Sequence, residues 1–354
     1  MLITSVHFLF IVFIVMLSLV LVLVLVVLIY NFIEYKESVR ITAWSGIIDQ
    51  KISDVIVYGD DELPANSKFN FLALRKPFRV LFLQRLVDSE KKFSGAAKSK
   101  IKELFKEYNL RNVAINKLDQ KKPYLIAQGI RELAVMDHEE AAPKISLFLT
   151  HPSQQVYLEA QYAMVKLKGF EGLDFLNTFS SKISEWQQLR LLLSISSLPP
   201  DPDITIEKWL ESTNDSVVIF TLKLIKKFQL LSFYSKITEL LNTSSVEIKI
   251  KAIQTLMSLE NPDTVAYLSS LYDEQPDDVR VEILRVVKAS KDHCCTDLLK
   301  KELFEGNTSA IKVSAAQALY ELRYDEYLSE LLQREDLTEE SIQIIKYALH
   351  EKVC

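Results

Sequence analysis

The residues best suited to chemistry lie in two short polar clusters. The first, residues 292–297, reads Asp-His-Cys-Cys-Thr-Asp and combines three kinds of metal-binding side chain. Zinc in proteins takes about four ligands, commonly from cysteines in Cys-x-x-Cys spacing. Here the two cysteines are adjacent, so on a helix they point apart, and no second Cys/His pair follows. We interpret this cluster as an interhelical loop with a partly buried thiol, and we expect no metal site.

The second cluster, residues 137–140, reads Asp-His-Glu-Glu and places a histidine beside carboxylates. General acid–base catalysis also needs a cleft and a positioned partner, and the sequence indicates neither. Acidic residues at the start of a helix explain the segment through the helix dipole. No Ser or Cys stands in a nucleophile-elbow motif, and the seven glycines are too scattered for a phosphate-binding loop. We therefore expect no catalytic residues, no cofactor and no enzyme activity.

The elements that would position such side chains are expected to be helices. The chain has 354 residues, of which 49% are hydrophobic and 25% charged, an ordinary globular composition. Seven glycines and ten prolines are few for the turns of a many-stranded β fold. Three cysteines, two of them adjacent, make no disulfide framework, so we interpret them as free thiols in a reducing compartment.

An apolar segment near the N-terminus indicates a membrane anchor. Residues 8–30 form a run of 23 residues in which Ser18 is the only clearly polar side chain. A helix of this length covers the ~30 Å hydrocarbon core of a bilayer with some tilt. The run is long for a signal peptide, no Lys or Arg precedes it, and a small-residue cleavage site is absent. We favour a retained single-pass anchor over a cleaved signal.

The charges that flank the apolar run predict its orientation. The N-terminal flank has no Lys or Arg, whereas the C-terminal flank carries Lys36, Arg40 and Lys51. The positive-inside rule then places the N-terminus outside and residues 34–354 in the cytoplasm, at the plasma (inner) membrane. Free cysteines agree with that compartment.

The chain after residue 123 follows a period of about 31 residues. Register positions, spaced by 30 to 32 residues, are Leu125, Val156, Gln187, Val217, Ile248, Val279 and Ile311. Positions four, eight and eleven residues later are mostly apolar and share one helical face with the register position. An apolar column twenty residues on marks a second helix in each unit. Stacked helix pairs of this kind bury a continuous core, as in an α-solenoid. The alternative is a non-repetitive helical bundle.

Several of these segments resemble HEAT repeats. Residues 278–280 (DVR), 311–319 (IKVSAAQAL) and 255–259 (TLMSL) are similar to the second helix of that family, which begins D-x-V-R and ends A-L-x-x-L. The period is shorter than the ~40–47 residues of ordinary HEAT units and resembles the compact phycobilisome-lyase-type repeats. The segment order around residues 93–110 resembles membrane-anchored bacterial HEAT-repeat proteins. The resemblance implies an all-α fold, an α-solenoid of about seven HEAT-like helix pairs behind one N-terminal transmembrane helix.

Four segments follow from these patterns. They are a transmembrane anchor at 1–33, a helical, basic membrane-proximal cap at 34–122, HEAT-like repeats at 123–340 and a C-terminal cap at 341–354. Within the basic cap we expect a helix at 45–57 with Ser45 as its N-cap, a loop at 60–66, an amphipathic helix opened by Lys76 and Pro77, and a Lys-rich helix at 96–108.

Charge is distributed unevenly along the chain. Residues 75–122 carry 14 Lys/Arg and 5 Asp/Glu, whereas residues 123–354 carry 24 and 35. Membrane-proximal cations are attracted to an anionic leaflet, so we expect possible membrane-surface contacts at Lys98, Lys100 and Lys102. The alternative is an ordinary solvated helix face. The acidic repeats oppose binding to nucleic acid.

Charged side chains three, six and ten residues after the register positions form one polar ridge. We interpret this ridge as a groove for a peptide or a domain, as in other solenoids, or alternatively as a solvated face. Its basic members are Arg131, Lys166, Arg190, Lys223, Lys227, Lys251 and Arg285.

The function that these features favour is a membrane-tethered protein-interaction scaffold or adaptor. One alternative is an accessory or regulatory subunit of a membrane enzyme system, such as a glycosyltransferase or polysaccharide complex. The other is a lyase-type enzyme, which the resemblance to short-repeat lyases brings in. The expected partners are a protein of unknown identity and the membrane, without nucleic acid and without an evident small-molecule substrate.

Overall fold

The chain is built from helices. The computed structural model describes residues 2–58, 67–243, 245–334 and 337–350. Helix accounts for 79% of the chain, and no strand occurs among the described residues, so the all-α prediction is confirmed. The chain divides into two compact units, Met1–Gly172 (unit 1) and Leu173–Cys354 (unit 2).

The first helix, α1, is Leu2–Tyr58. Its apolar part reaches a mean hydropathy of 3.6 and is not buried by the rest of the protein. By length and composition this part of the helix is able to cross a membrane, although a signal sequence also meets these two criteria. The prediction of a separate helix capped by Ser45 is wrong, because α1 runs through Ser45 unbroken. No proline interrupts residues 31–45, and a side chain at Gly46 would meet open space, so the helix has no local cause to end there.

Unit 1 continues with seven further helices among its described residues. They are α2 (Ser67–Ala73), α3 (Lys76–Glu90), α4 (Ala96–Glu107), α5 (Arg111–Leu118), α6 (Pro123–Val135), α7 (Ala142–Ser146) and α8 (Gln154–Lys168). The helices expected after Lys76-Pro77 and over residues 96–108 are therefore confirmed as α3 and α4. The loop predicted at residues 60–66 lies outside the described residues.

The core of unit 1 begins where α1 meets α3 and α4. Trp44, Ile48, Ile52 and Val55 recur at helical spacing on α1 and are buried against these two helices. Four aromatic rings continue this core in edge-to-face contacts, with centroids 5.3–5.5 Å apart: Phe69, Phe78, Phe82 and Tyr108. Each buried side chain of this size contributes about 1.5–3 kcal/mol through apolar burial, so the last part of α1 is firmly held in unit 1.

The approach of α5 to α6 depends on a glycine. A Cβ atom at Gly129 would lie 2.7 Å from the carbonyl oxygen of Ala114 and 2.8 Å from Cβ of Lys117. Only a residue without a side chain fits this crossing. Helix α6 also packs against α8.

Unit 2 alternates long and short helices. They are α9 (Glu185–Ser194), α10 (Asp203–Leu210), α11 (Asp215–Phe228), α12 (Tyr234–Glu239), α13 (Val246–Ser258), α14 (Thr264–Ser270), α15 (Asp277–Ser290), α16 (Thr296–Glu305), α17 (Ser309–Glu321), α18 (Asp325–Leu331) and α19 (Glu339–His350). Each of α9, α11, α13, α15 and α17 packs against the next odd-numbered helix, and each even-numbered helix packs against the helix that follows it.

The helix boundaries follow the sequence register. Helices α6, α8, α9, α11, α13, α15 and α17 each begin two residues before a register position. The residues four positions after the register are all buried, and those eight positions after it are buried except for Met164, which is half-buried. In five cases the residue twelve positions after the register has a positive φ and ends the long helix: Asp137, Gln229, Glu260, Lys291 and Arg323.

Candidate functional site

The Asp292–Asp297 segment joins α15 to α16: Asp292 caps a 3₁₀ turn, His293–Cys295, and Thr296 and Asp297 begin α16. Its geometry corrects one prediction, because the two cysteine side chains do not point apart: their Sγ atoms lie 3.2 Å from each other. The prediction assumed α-helical geometry, whereas the tighter turn brings neighbouring side chains together. Cys295 is buried against the Ser269 hydroxyl and Cys294 is exposed, so the expected loop with a buried thiol is confirmed.

The reactivity of this loop depends on whether the exposed Cys294 thiol is protonated. Desolvation, the neighbouring Cys295 thiol and the Asp292 carboxylate together raise the pKa of Cys294 to about 12. The thiolate is the form that binds metals and attacks electrophiles, so Cys294 is a poor nucleophile at neutral pH. Within the described part of the chain, no group of three or more His, Cys, Asp and Glu side chains is arranged to hold a metal ion.

The Asp137–Glu140 segment joins α6 to α7 beside a cavity of about 420 Å³. His138 is half-buried, its ring 6.2 Å from that of Phe105, and burial lowers the pKa of the imidazole, which is therefore neutral at physiological pH. The Glu140 carboxylate is 3.9 Å from Nε2, beyond hydrogen-bond distance. Glu140 instead accepts from Arg111 at 3.4 Å. The segment thus pairs charges at a helix junction.

The ridge residues of unit 1 occupy different environments. Arg131 is exposed on α6. Lys166 is half-buried on α8, with its Nζ atom 4.0 Å from the buried carboxylate of Glu90, and burial lowers the pKa of its ammonium group. The same Glu90 oxygen lies 2.7 Å from Nζ of Lys98. Lys166 therefore belongs to a charged cluster inside unit 1.

The predicted membrane-surface lysines also have partners within unit 1. Besides the Lys98–Glu90 pair, Lys100 donates to the carbonyl of Ile56 at 3.3 Å and Lys102 forms an ion pair with Asp137. Their contact with lipid stays a prediction. The observed contacts hold α4 to the end of α1 and to the α6–α7 junction.

The ridge residues of unit 2 link neighbouring long helices. Lys223 on α11 donates to Gln188 Oε1 on α9 at 2.7 Å, and burial followed by the charge of Lys251 lowers its pKa. Lys227 donates to the carbonyls of Leu192 and Ile195, at 2.6 and 2.5 Å, which satisfies the free C-terminal end of α9. Both charges are thus used between α9 and α11.

A second group of ridge residues connects α13 with α15. Lys251 donates to Gln254 Oε1 at 3.2 Å, and Gln254 donates to Glu282 Oε1 at 2.9 Å. Arg285 donates to the other Glu282 oxygen at 3.0 Å while its own side chain stays largely exposed. Arg190 is half-buried on α9. The structure brings the ridge residues of unit 2 together as links between helices, with Arg285 open to a partner.

A polar cleft of about 680 Å³ opens in unit 2 beside α9 and the α10–α11 turn. Asn214 shapes it by donating to the carbonyls of Phe179 and Ser181, both at 2.9 Å, while Ser216 accepts from the amide of Ile183 at 2.9 Å. Charged and hydroxyl side chains line it, among them Thr178, Ser180, Lys182, Glu185, Ser212, Thr213, Asp215, Lys223 and Glu247.

An apolar stripe on α9 was missed by the sequence analysis. Trp186, Leu189 and Leu193 are 74%, 47% and 75% exposed and lie on one helical face, at spacings of three and four residues. Glu185 and Gln188, next to the stripe, line the polar cleft. Exposed, contiguous apolar side chains of this size mark interaction sites in soluble domains. The available signal was Leu193, which occupies a ridge position six residues after the register where the other units carry Arg, Lys, Gln or Tyr.

Comparisons with known proteins identify no family for this chain. The sequence matches no protein-family model and no curated protein. Human deoxyhypusine hydroxylase in complex with glycerol is similar at 14% identity and a TM-score of 0.31, over 80% of this chain and 98% of that one. An engineered protein (16%, 0.33, 76% and 84%) and the CpcE–CpcF complex of phycocyanin lyase from a Nostoc species (11%, 0.25, 76% and 94%) are also similar. At TM-scores of 0.25 to 0.33, these similarities carry no argument about this chain.

Proposed function

We propose that the chain is a membrane-tethered adaptor that recruits a protein partner through the exposed stripe of α9. The observation that carries this proposal is the stripe itself, Trp186, Leu189 and Leu193, exposed on one face beside the polar cleft. Tryptophan is among the residues enriched in protein-binding hot spots, and a polar rim around an apolar centre is the usual layout of such an interface.

The scaffold that we propose for this surface is an α-solenoid of about seven HEAT-like helix pairs, bacterial in type and with a period near 31 residues. Its support is that α6, α8, α9, α11, α13, α15 and α17 each begin two residues before a register position, together with the buried columns. In such an array each unit buries its apolar face only against its neighbours. The polar ridge supplies the rim of the binding surface through Arg190, which follows Leu189 on α9, while Lys223 supports α9 from α11 through its hydrogen bond to Gln188.

The tether that we propose is α1, retained as a single membrane span with the N-terminus outside and the helical units in the cytoplasm. The apolar run of α1 is unburied, and Lys36 and Arg40, on its C-terminal side, are exposed. Positive charge retained on the cytoplasmic side favours this orientation. A tether confines the adaptor to the membrane plane and raises the effective concentration of its partner there.

Recovery of partners from native membranes tests the proposed function. The variants are Trp186→Ser and Leu193→Ser in the full chain, extracted in mild detergent, purified by affinity and quantified by mass spectrometry. Ile204→Ser on α10 is the matched control, because Ile204 is 78% exposed in the same unit but lies outside the stripe. We expect both stripe variants to lose a partner that the parent chain and the Ile204→Ser chain retain. Equal recovery with all four chains would refute the proposal.

A further inference from the structure

The continuity of α1 defines which end of unit 1 is nearest the apolar run. Among the described side chains of α1, Trp44 is the first to be buried. It lies 14 residues after Tyr30, about 21 Å along the helix axis. Ile56, near the other end, lies 26 residues after Tyr30, about 39 Å along the axis. Unit 1 therefore has a near end at Trp44 and a far end at Ile56.

The directions of α3 and α4 follow from their contacts with α1. Trp44 packs on Phe78 with ring centroids 5.5 Å apart, and Asp49 accepts from Arg85 Nε at 2.9 Å, so α3 runs parallel to α1.

Lys100, early in α4, reaches the carbonyl of Ile56, so α4 starts at the far end. It returns towards the near end, where the residue after it, Tyr108, packs on Phe82 and Phe69.

The turn between α2 and α3 consequently projects from the near end. Phe71 and Leu74 are 60% and 79% exposed there, and Arg75 and Lys76 are exposed beside them. The Arg75 guanidinium lies over the Phe71 ring, 5.2 Å from its centroid. We name these four residues the α2–α3 corner. No acidic residue occurs from residue 67 to residue 87, so the corner is uniformly cationic.

We infer that the α2–α3 corner contacts the anionic surface of the bilayer that α1 crosses, with Phe71 and Leu74 in the interface and Arg75 and Lys76 at lipid phosphates. This inference rests on the proposed transmembrane placement of α1. Aromatic and aliphatic side chains flanked by Arg and Lys are the composition of interfacial protein segments. Paired with the span, the corner gives unit 1 a second point of attachment, which fixes its orientation to the membrane.

The axial distances suit this contact. Tyr30 and Tyr35 flank the end of the apolar run and are exposed, as are Lys36 and Arg40, the pattern of residues at a membrane interface. The corner precedes Phe78 by a few residues, which places it about 5 Å closer to the bilayer than Trp44. The headgroup layer extends about 5–8 Å beyond the hydrocarbon core. A tilt of about 20°, usual for single spans, brings a helix packed about 8–10 Å from the α1 axis about 3 Å closer to that layer on one side. The extended side chains of Phe71, Arg75 and Lys76 span what remains.

The same geometry separates the corner from the three lysines that the sequence suggested for this role. Lys100 lies at the level of Ile56, about 39 Å from Tyr30 along α1. Exposed charges interact across about 8 Å at physiological salt. If the α2–α3 corner contacts lipid, the start of α4 therefore lies too far from the bilayer to contact it.

Depth-dependent fluorescence quenching tests the inference in the full chain. The three cysteines are replaced by alanine, and one cysteine carrying an environment-sensitive fluorophore is placed at Val20, Leu74 or Ser99. Ser99 is exposed at the far end, which makes it the matched control for Leu74. Each labelled chain is reconstituted in nanodiscs of phosphatidylcholine and phosphatidylserine that contain lipids with a nitroxide on the headgroup or on the acyl chain.

The three positions separate failure of the inference from failure of the span. We expect acyl-chain quenching at residue 20, headgroup quenching at residue 74 and no quenching at residue 99. Quenching at residue 20 without quenching at residue 74 overturns the inference and leaves the span intact. No quenching at residue 20 removes the span and the inference together. Quenching at residue 99 equal to that at residue 74 shows a unit lying flat on lipid and also overturns the inference.

Charge reversal identifies the cations responsible. We expect R75E with K76E to abolish headgroup quenching of the label at residue 74, and K100E with K102E, the control pair, to leave it unchanged. Quenching that survives R75E with K76E, or that is lost only with the control pair, contradicts the assignment of the corner.

Discussion

At the residue scale, the interior of unit 1 holds a buried carboxylate whose charged form is disfavoured by desolvation. Glu132 on α6 is 1% exposed, and its Oε1 atom accepts from Lys117 at 2.5 Å and from Gln128 at 2.8 Å. Its Oε2 atom accepts no hydrogen bond among the described residues. Desolvation outweighs the nearby Lys117 charge, so the pKa of Glu132 is raised from its ordinary 4.5.

The raised pKa of Glu132 predicts the direction in which the free energy of unfolding changes with pH. The folded state binds the proton more tightly than the unfolded state, so the stabilisation from this group is present below pH 4.5 and is lost as pH rises through the folded-state pKa. Glu132→Gln removes the titration and should make the free energy of unfolding rise more steeply with pH above 4.5 than in the parent chain. Urea unfolding of both chains at a series of pH values checks this. Parallel pH dependence in the two chains would show that burial leaves the Glu132 pKa unshifted.

The helix ends supply a second prediction at this scale. Lys291 follows α15 with φ +56°, a conformation in which a side chain costs about 1–2 kcal/mol and glycine does not. We expect Lys291→Gly to raise the free energy of unfolding by about 1 kcal/mol, and the control Ala289→Gly, inside α15, to lower it by about 1 kcal/mol. Thermal unfolding followed by circular dichroism measures both. A loss of stability in both variants would mean that Lys291 makes contacts that outweigh its backbone conformation.

At the element scale, the spacing of helices depends on small residues. Gly129 lets α6 approach α5 so closely that an added methyl group would overlap Ala114 and Lys117. Gly129→Ala should therefore destabilise unit 1 by about 1–3 kcal/mol through overpacking, despite the better helix propensity of alanine. Gly46→Ala on α1 is the control, since its methyl group meets open space and should stabilise the chain slightly. Equal and positive effects on Tm at both sites would exclude a steric role for Gly129.

The sequence predicted most helices because their signals are local. The register positions, the Lys76-Pro77 start of α3 and the break at Gly95 are all set by neighbouring residues. The continuity of α1 was not predicted because Ser45 is as compatible with a helix interior as with an N-cap. The contact between the Cys294 and Cys295 thiols depends on a 3₁₀ turn that neither residue type specifies.

At the scale of the whole molecule, the candidate surfaces depend on the directions of helices, which sequence patterns do not contain. The lysines of α4 have the composition expected near a membrane, but their distance from the apolar run depends on α4 starting at the far end of α1. Similarly, the sequence identified the ridge but not which of its charges are used between helices, as Lys223 and Lys227 are. The α9 stripe was recognised from the exposure of its side chains, and its one sequence signal was Leu193, an apolar residue at a ridge position.

Site-specific photo-crosslinking in intact cells tests the central claim, recruitment of a protein partner at the membrane. A photoreactive amino acid replaces Leu193, and in a separate chain it replaces the equally exposed Ile204. The account predicts a discrete protein adduct at position 193, recovered in the membrane fraction, and none at position 204. No adduct at position 193, or the same adducts at both positions, would contradict it.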